Sequence, residues 1–305
     1  MRVHSLLLAL LLAAAINSSA QTTAPLAQYP SPMKETVRNH ARITTNGNTG
    51  TVLTIDGILP KPVLVYLPRK LKHARKADLL IHFHGSSSLV AYAAEKYKGT
   101  LITATVNLGS GSGVYATAFL QDSVFKKLET AIWQRAAQQL HKPLQRRRLI
   151  LSGFSAGYGA IRSILSFPEY FREVNGVLLL DGLHTSYIPE RKVLADGGLI
   201  DSANLTTFLN FAKQAADPAT GKRFLFTHSE IFPGTFASTT ETATYLLTQL
   251  QLKATPVLKW GPGGMQQLSE AKKGHLKILG FAGNSAPDHI DHFQGLYYFL
   301  NRLYN

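Results

Sequence analysis

The sequence contains no cysteine, so it forms no disulfide, offers no thiolate nucleophile and cannot bind a cysteine-ligated zinc ion or iron–sulfur cluster. Acidic residues are also few: 18 Asp and Glu stand against 32 Lys and Arg, for a formal net charge of +14. That excess would suit a polyanion, but the basic residues lie in short clusters such as 70–76 and 146–148, in polar segments before apolar strands. We therefore expect no nucleic-acid partner.

Long apolar runs are missing beyond the N-terminus. A positively charged start, 1–4, precedes an apolar stretch at 5–16 and the small residues Ser18, Ser19 and Ala20. The stretch is shorter than the roughly 20 residues that a spanning helix needs, so it predicts a signal peptide, residues 1–20, cleaved near Ala20. The mature protein is expected to be secreted or periplasmic, without stable membrane insertion. Residues 21–34 predict a flexible segment and residues 35–305 one domain.

Short β-branched or aliphatic runs alternate with segments of helical periodicity along this domain. The predicted strands are 51–55, 62–66, 79–83, 101–106, 148–151, 176–180, 223–226 and 276–281; the predicted helices are 89–98, 118–140, 156–165, 205–216, 240–250 and one through 296–303. The order predicts an α/β fold: a doubly wound, mostly parallel sheet with helices on both faces, opened by an antiparallel hairpin. Residues from about 184 to 221 interrupt the alternation and predict an insertion over the carboxyl edge of the sheet.

The sequence Gly153-Phe154-Ser155-Ala156-Gly157 is a G-x-S-x-G motif between a predicted strand and a predicted helix. Two glycines at this spacing permit a sharp strand-to-helix turn that projects the serine hydroxyl out of the sheet. The alternative is a glycine-rich turn in which the serine only caps the helix. The flanking elements favour Ser155 as a nucleophile.

A second motif, His84-Gly85-Ser86, follows the predicted strand 79–83. With the serine motif and the order of elements, it makes the chain resemble the esterases and lipases of the α/β-hydrolase superfamily over about residues 35–305. The resemblance implies a serine hydrolase with the chain order serine, acid, histidine. It also implies an oxyanion hole formed by the N–H groups of Ser86 and Ala156. His82 and His84 could instead bind a metal, but no carboxylate lies nearby in the sequence; we expect no metal and no cofactor.

The resemblance places the catalytic histidine after the last strand, where the sequence offers His289 and His292. We favour His289, because it lies in the predicted loop rather than in the terminal helix. The acid is less clearly marked, since the segment after strand 223–226 offers Glu230 and no aspartate. Asp181 ends the preceding aliphatic strand at the same edge and is the preferred candidate. The alternatives are Glu230, Asp288, Asp291 or no acid.

These features predict a secreted serine hydrolase that cleaves a carboxylic ester through a Ser155–His289–Asp181 triad and an acyl-enzyme. Its partner would be a small-molecule or polymeric ester, and the sequence leaves the oligomeric state open. A serine peptidase and a noncatalytic extracellular binding protein on the same scaffold are the competing hypotheses. Four residues after strands at the carboxyl edge are expected to line the substrate pocket: His184, Tyr187, His228 and Phe232.

Overall fold

The computed structural model of the protein describes residues 39–304. The predicted signal peptide and flexible segment, residues 1–34, lie outside the described residues. Within the described part the strands are β1 (Thr51–Ile55), β2 (Val63–Leu67), β3 (Lys76–Phe83), β4 (Leu101–Val106), β5 (Gln145–Phe154), β6 (Gly176–Leu180), β7 (Tyr187–Ile188), β8 (Leu199–Ile200), β9 (Arg223–His228), β10 (Thr255–Trp260), β11 (Gln266–Lys273) and β12 (Leu276–Phe281). The α-helices are α1 (Ser87–Lys96), α2 (Ser112–Ala118), α3 (Asp122–Leu140), α4 (Tyr158–Leu165), α5 (Pro168–Glu173), α6 (Thr206–Ala216), α7 (Thr239–Gln249), α8 (Ala286–Gln294) and α9 (Leu296–Leu303).

Ten strands form one mixed sheet in the order β1-β2-β4-β3-β5-β6-β9-β12-β11-β10. The six central strands, from β4 to β12, run parallel to one another. Antiparallel strands flank them: β1 and β2 at one edge, β11 and β10 at the other. The prediction of a mostly parallel, doubly wound α/β sheet is confirmed.

Side chains that alternate along each strand pack into two separate cores, one on each face of the sheet. In β3, Leu79, Ile81 and Phe83 join a core beneath helices α2 to α7, whereas Leu80 joins a second core beneath α1, α8 and α9. All four side chains are fully buried. Because both faces of the central strands are covered, these strands read as continuous apolar runs in the sequence.

The structure differs from the predicted elements in several places. The predicted helix 118–140 begins only at Asp122, as α3, and a separate helix, α2, precedes it; between them Phe119 turns inward and packs against Phe83 and Phe125 with ring centroids 5.5 and 6.4 Å apart. The short helix α5 was also missed. The antiparallel strands β10 and β11 were missed. The predicted insertion contains, besides α6, a two-stranded sheet of β7 and β8.

Among the described helices, none combines the length and the apolar character needed to cross a bilayer.

Candidate active site

The chain turns away from four parallel strands at one edge of the sheet. His84 follows β3, Ser155 follows β5, Asp181 follows β6 and Ser229 follows β9. Because these strands are parallel, their carboxyl ends meet at this edge. The predicted nucleophile and the preferred acid therefore emerge from adjacent strands.

Ser155 occupies a strained turn between β5 and α4. Its φ is 48°, in the left-handed region that non-glycine residues rarely adopt, at a cost of about 1–3 kcal/mol. The turn passes so close to β3 that a Cβ on Gly157 would lie 2.1 Å from the carbonyl oxygen of Phe83. The second glycine of the motif is thus required by this close approach, and the serine lies at the end of the strand, as the motif predicts.

Asp181 is 1% exposed and accepts hydrogen bonds at both carboxylate oxygens. Oδ1 accepts from the Ser229 N–H at 2.9 Å and from the Thr239 hydroxyl at 2.6 Å; Oδ2 accepts from the Ser229 hydroxyl at 2.7 Å. Nδ1 of His289 lies 2.7 Å from the same Oδ2. The carboxylate is therefore held rigidly, with one oxygen directed at the imidazole.

The ionised form of Asp181 is strongly favoured. Burial alone would raise the pKa of its carboxyl, but the interactions with His292 and His289 and the hydrogen bond from Thr239 outweigh burial and hold that pKa well below its usual value. Asp181 also has a positive φ of 43°. The carboxylate can therefore hold the Nδ1 proton of His289 without taking it.

Two contacts join this pair to Ser155. A Cβ on Gly182, the residue after Asp181, would lie 2.5 Å from the Ser155 carbonyl oxygen, so the two turns are in direct contact. The ring of Phe154, the residue before the serine, lies 4.5 Å from the His289 ring between centroids. The structure thus brings Ser155, His289 and Asp181 together at one edge of the sheet.

His289 lies on α8 and not in a loop as predicted, because the capping box of Ser285 and Asp288 starts the helix before it. His292 lies one turn further along α8 and has different surroundings. Its Nδ1 is 2.8 Å from the Thr227 hydroxyl, and its Nε2 finds no hydrogen-bond partner among the described residues. Burial lowers its pKa to about 4. The His289 side chain, by contrast, is 25% exposed. Of the two candidate histidines, His289 is the one whose Nδ1 is hydrogen-bonded to Asp181 and whose ring is accessible.

The alternative acids are engaged elsewhere. Glu230 is exposed and accepts from the Gly283 N–H at 3.3 Å. Asp288 accepts from the Ser285 hydroxyl at 2.7 Å and caps α8, while Asp291 pairs with Arg42. These contacts stabilise the loop and helix that carry His289.

The fold is identified by the order of eight neighbouring strands in the sheet, β1-β2-β4-β3-β5-β6-β9-β12. Strand β2 is antiparallel to its neighbours, and the serine turn follows β5. The chain has the α/β-hydrolase fold.

Comparison with solved structures finds that the chain is similar to several esterases. The enterobactin esterase of Shigella flexneri is 12% identical with a TM-score of 0.47; the match covers 84% of this chain and 59% of that one. The feruloyl esterase module of Clostridium thermocellum is 12% identical with a TM-score of 0.44, and the match covers 85% and 91% of the two chains. The acetyl xylan esterase of Aspergillus awamori is 13% identical with a TM-score of 0.45, covering 82% and 100%. No protein-family model and no curated protein matches the sequence.

The loop after β3, where the α/β-hydrolase fold places its second oxyanion donor, is firmly held. His84 has a positive φ of 72°. The Gly85 N–H donates to Asn107 Oδ1 at 2.8 Å, and Asn107 Nδ2 donates back to the Gly85 carbonyl at 2.6 Å. Ser86 begins α1 and is exposed, whereas Ala156 lines the cavity beside Ser155. The predicted donors thus lie in a fixed loop and at the serine turn.

His82 and His84 do not form a metal site together. The two ring nitrogens of His82 bond to the Ser152 hydroxyl at 3.1 Å and to the His84 carbonyl at 2.9 Å, and Nδ1 of His84 bonds to the Tyr115 hydroxyl at 2.9 Å. Burial lowers the pKa of His82 to about 3. The ring of His82 is therefore a neutral support for the loop.

One other cluster has ligand atoms close enough for a metal: those of His40, Asp288 and Asp291 lie within 4.8 Å of one another. The Arg42 guanidinium is hydrogen-bonded to Asp291, and its positive charge opposes a bound cation there.

A cavity of about 500 Å³ opens beside Ser155. The serine turn, the start of α2, helix α4 and the insertion after β6 all contribute to its wall. Of the four residues expected to line it, His184 does so. Tyr187 and Phe232 pack together in a small core, and Nδ1 of His228 bonds to the Thr240 hydroxyl at 2.9 Å.

Several residues of the site were missed in the sequence. Ser229 and Thr239 bond to the Asp181 carboxylate from β9 and α7, and Arg162 and Asn204 line the cavity. Ser229 follows a parallel strand, which is a usable signal. Thr239 and Asn204 carry none, since only the tertiary packing brings them to the site.

Proposed function

We propose that the chain is a secreted serine hydrolase that cleaves a carboxylic ester through Ser155, His289 and Asp181. The observation that carries this proposal is the 2.7 Å contact between His289 Nδ1 and the buried Asp181 carboxylate, next to a serine with a φ of 48°. An acid bonded to Nδ1 fixes the imidazole tautomer in which Nε2 is free to accept a proton. A serine hydroxyl is a weak nucleophile until such a base is present.

The proposed reaction has two halves. The Ser155 hydroxyl attacks the ester carbonyl as His289 takes its proton, and the N–H groups of Ala156 and Ser86 stabilise the tetrahedral oxyanion. The oxyanion collapses and expels the alcohol, which takes its proton from His289. Water then attacks the acyl-enzyme with His289 again as the base, releasing the acid and restoring Ser155.

The export of the protein is part of the proposal. Residues 1–20 would direct secretion and be removed, leaving Gln21 at the N-terminus ahead of a domain at 35–305. Mass spectrometry of the exported protein tests this: an N-terminus that retains Met1 would contradict it.

Covalent labelling of the purified mature protein with a fluorophosphonate tests the catalytic proposal. We expect one adduct on Ser155, located by mass spectrometry, that is lost in Ser155→Ala and formed far more slowly in His289→Gln. His292→Gln is the matched control, because it alters an imidazole one turn away, and it should label at close to the wild-type rate. Panels of chromogenic esters and peptides then separate esterase from peptidase. A folded protein that resists labelling would favour a noncatalytic binding protein.

A further inference from the structure

The cavity beside Ser155 is lined by one positively charged side chain, that of Arg162. None of the described residues that line the cavity is acidic. The other polar groups of the wall are neutral: hydroxyls such as those of Ser112 and Tyr158, the Asn204 amide and the His184 imidazole, whose pKa is lowered by burial. Since the one charge in this wall is positive, the cavity favours an anionic group of a bound molecule.

The charge of Arg162 is not neutralised by a direct ion pair within residues 39–304. Its Nη1 donates to the neutral Asn204 Oδ1 at 2.8 Å, and Asn204 Nδ2 donates in turn to Asp201 at 2.7 Å. Asn204 therefore lies between the guanidinium and the carboxylate of Asp201 in this chain of hydrogen bonds. The hydrogen bond to Asn204, a residue of the insertion, orients the Arg162 guanidinium without neutralising its charge.

The positions of Arg162 and Ser155 set the length of a ligand that reaches both. Ser155 begins the short 3-10 turn before α4 and Arg162 is the fifth residue of α4, so the seven positions between them correspond to about 12 Å along the chain. The arginine side chain leans toward the N-terminus of its helix, and so toward the serine. An anion on the guanidinium and a carbonyl at Ser155 would then be separated by a few carbon atoms.

We propose that this cavity selects esters that carry a carboxylate, which Arg162 binds while Ser155 attacks the ester carbonyl. The inference rests on the proposed function, because it assigns the substrate class of the same site. A guanidinium pairs with a carboxylate through two parallel hydrogen bonds, which fixes the direction of the ligand as well as its charge. Arg162 is thus a specificity-determining residue.

Matched pairs of esters test the proposal. On the acyl side, para-nitrophenyl hydrogen adipate is compared with para-nitrophenyl hexanoate; on the alcohol side, para-acetoxybenzoate is compared with para-acetoxybenzamide. Each pair differs in one anionic group. For at least one pair we expect the ratio of kcat/KM, anionic to neutral, to fall by about tenfold or more in Arg162→Gln, which is the loss of one hydrogen-bonded charge contact.

Two control variants accompany Arg162→Gln. Arg162→Lys keeps the charge and should retain much of the ratio, and Arg135→Gln removes one charge from an exposed position on α3 and should leave the ratio unchanged. If Arg162→Gln does not fold, the wild-type ratio is measured with rising salt. It should fall at least threefold between about 20 mM and about 500 mM ionic strength, because salt screens a partly exposed charge.

A ratio that changes less than threefold in Arg162→Gln for both pairs, or under salt where that variant is unfolded, overturns the inference. Equal loss of both members of a pair means that Arg162 only holds the insertion in place through Asn204, and it too overturns the inference. The failure of the proposed function looks different: wild-type protein would then cleave neither member of either pair and would not be labelled at Ser155.

Discussion

The two ends of the central sheet each hold a buried aspartate, and the comparison separates a carboxylate bonded to a guanidinium from one bonded to an imidazole. At the amino end, Asp78 on β3 is fully buried and accepts from Arg147 Nε and Nη2 at 2.8 and 2.6 Å and from the Tyr97 hydroxyl at 2.7 Å. At the carboxyl end, Asp181 accepts from hydroxyl and amide donors and from His289.

The difference lies in the partner. The Arg147 guanidinium cannot lose its proton at any physiological pH, so its contact with Asp78 holds β3 and β5 together and does nothing else. An imidazole releases and accepts a proton near neutral pH. The same type of buried carboxylate therefore stabilises the fold at one end and can support proton transfer at the other.

The largest expected effect is that of Asp181→Asn. The amide can no longer hold the His289 tautomer, so we expect kcat/KM for a simple ester to fall by about 10³- to 10⁴-fold. Steady-state hydrolysis of para-nitrophenyl acetate by folded protein measures it. A loss of less than tenfold would show that Asp181 is not the acid.

Two buried histidines near the carboxyl end of the sheet should also make the free energy of unfolding depend on pH. His82 and His292 are 0% and 1% exposed, and burial lowers their pKa from 6.5 to about 3 and about 4. The unfolded chain takes up these protons below about pH 6.5 while the folded protein does not, so stability is complete above that pH and is lost as the pH falls toward 4. At pH 5 the loss is about 2 kcal/mol for each histidine, or about 4 kcal/mol for both.

Urea unfolding at pH 7.5 and pH 5 measures this loss. His292→Gln should remove about 2 kcal/mol of it. Asp78→Asn should show the same pH dependence as wild type, because the guanidinium at the amino end keeps its charge throughout. Equal stability at the two pH values would mean that the two buried imidazoles are not neutral in the folded protein.

The smallest effect is that of Asp78→Asn on the free energy of unfolding. We expect a loss of about 2–3 kcal/mol, moderated because Arg147 is 41% exposed and can be solvated once its partner is lost. Activity per folded molecule should stay at the wild-type level. Urea unfolding and ester hydrolysis of the same preparation test both, and a loss of activity with unchanged stability would remove the distinction between the two ends.

The central strands were predictable because both of their faces are covered, which leaves an unbroken apolar run in β6 and a mostly apolar, β-branched run in β4. Strand β10 was not, since five of its six residues are exposed, among them Leu258 and Trp260. An edge strand of this kind has no apolar alternation to mark it. Its partner β11 is only partly buried and was missed for the same reason.

The residues of the candidate site also divide into those that the sequence could predict and those that it could not. Ser155 was identifiable as a candidate because the turn that holds it is local and is marked in the sequence by two glycines. The preference for Asp181 over Glu230 followed from strand position alone, and the structure places Asp181 against His289 and Glu230 against Gly283. Thr239 and Arg162 left no local trace, because their roles depend on which elements the fold brings together.

The position of Asp181 directly after β6 has a consequence for how such a protein can change over evolution. With Asp181 as the acid, the segment after Ser229 need not supply a carboxylate, and it contributes Phe236 to the cavity wall instead. The insertion contributes Thr185, Ser186 and Asn204 to the same wall. These wall residues lie on other segments than Ser155, Asp181 and His289, so mutations there can alter the shape of the cavity while the three proposed catalytic residues are inherited unchanged.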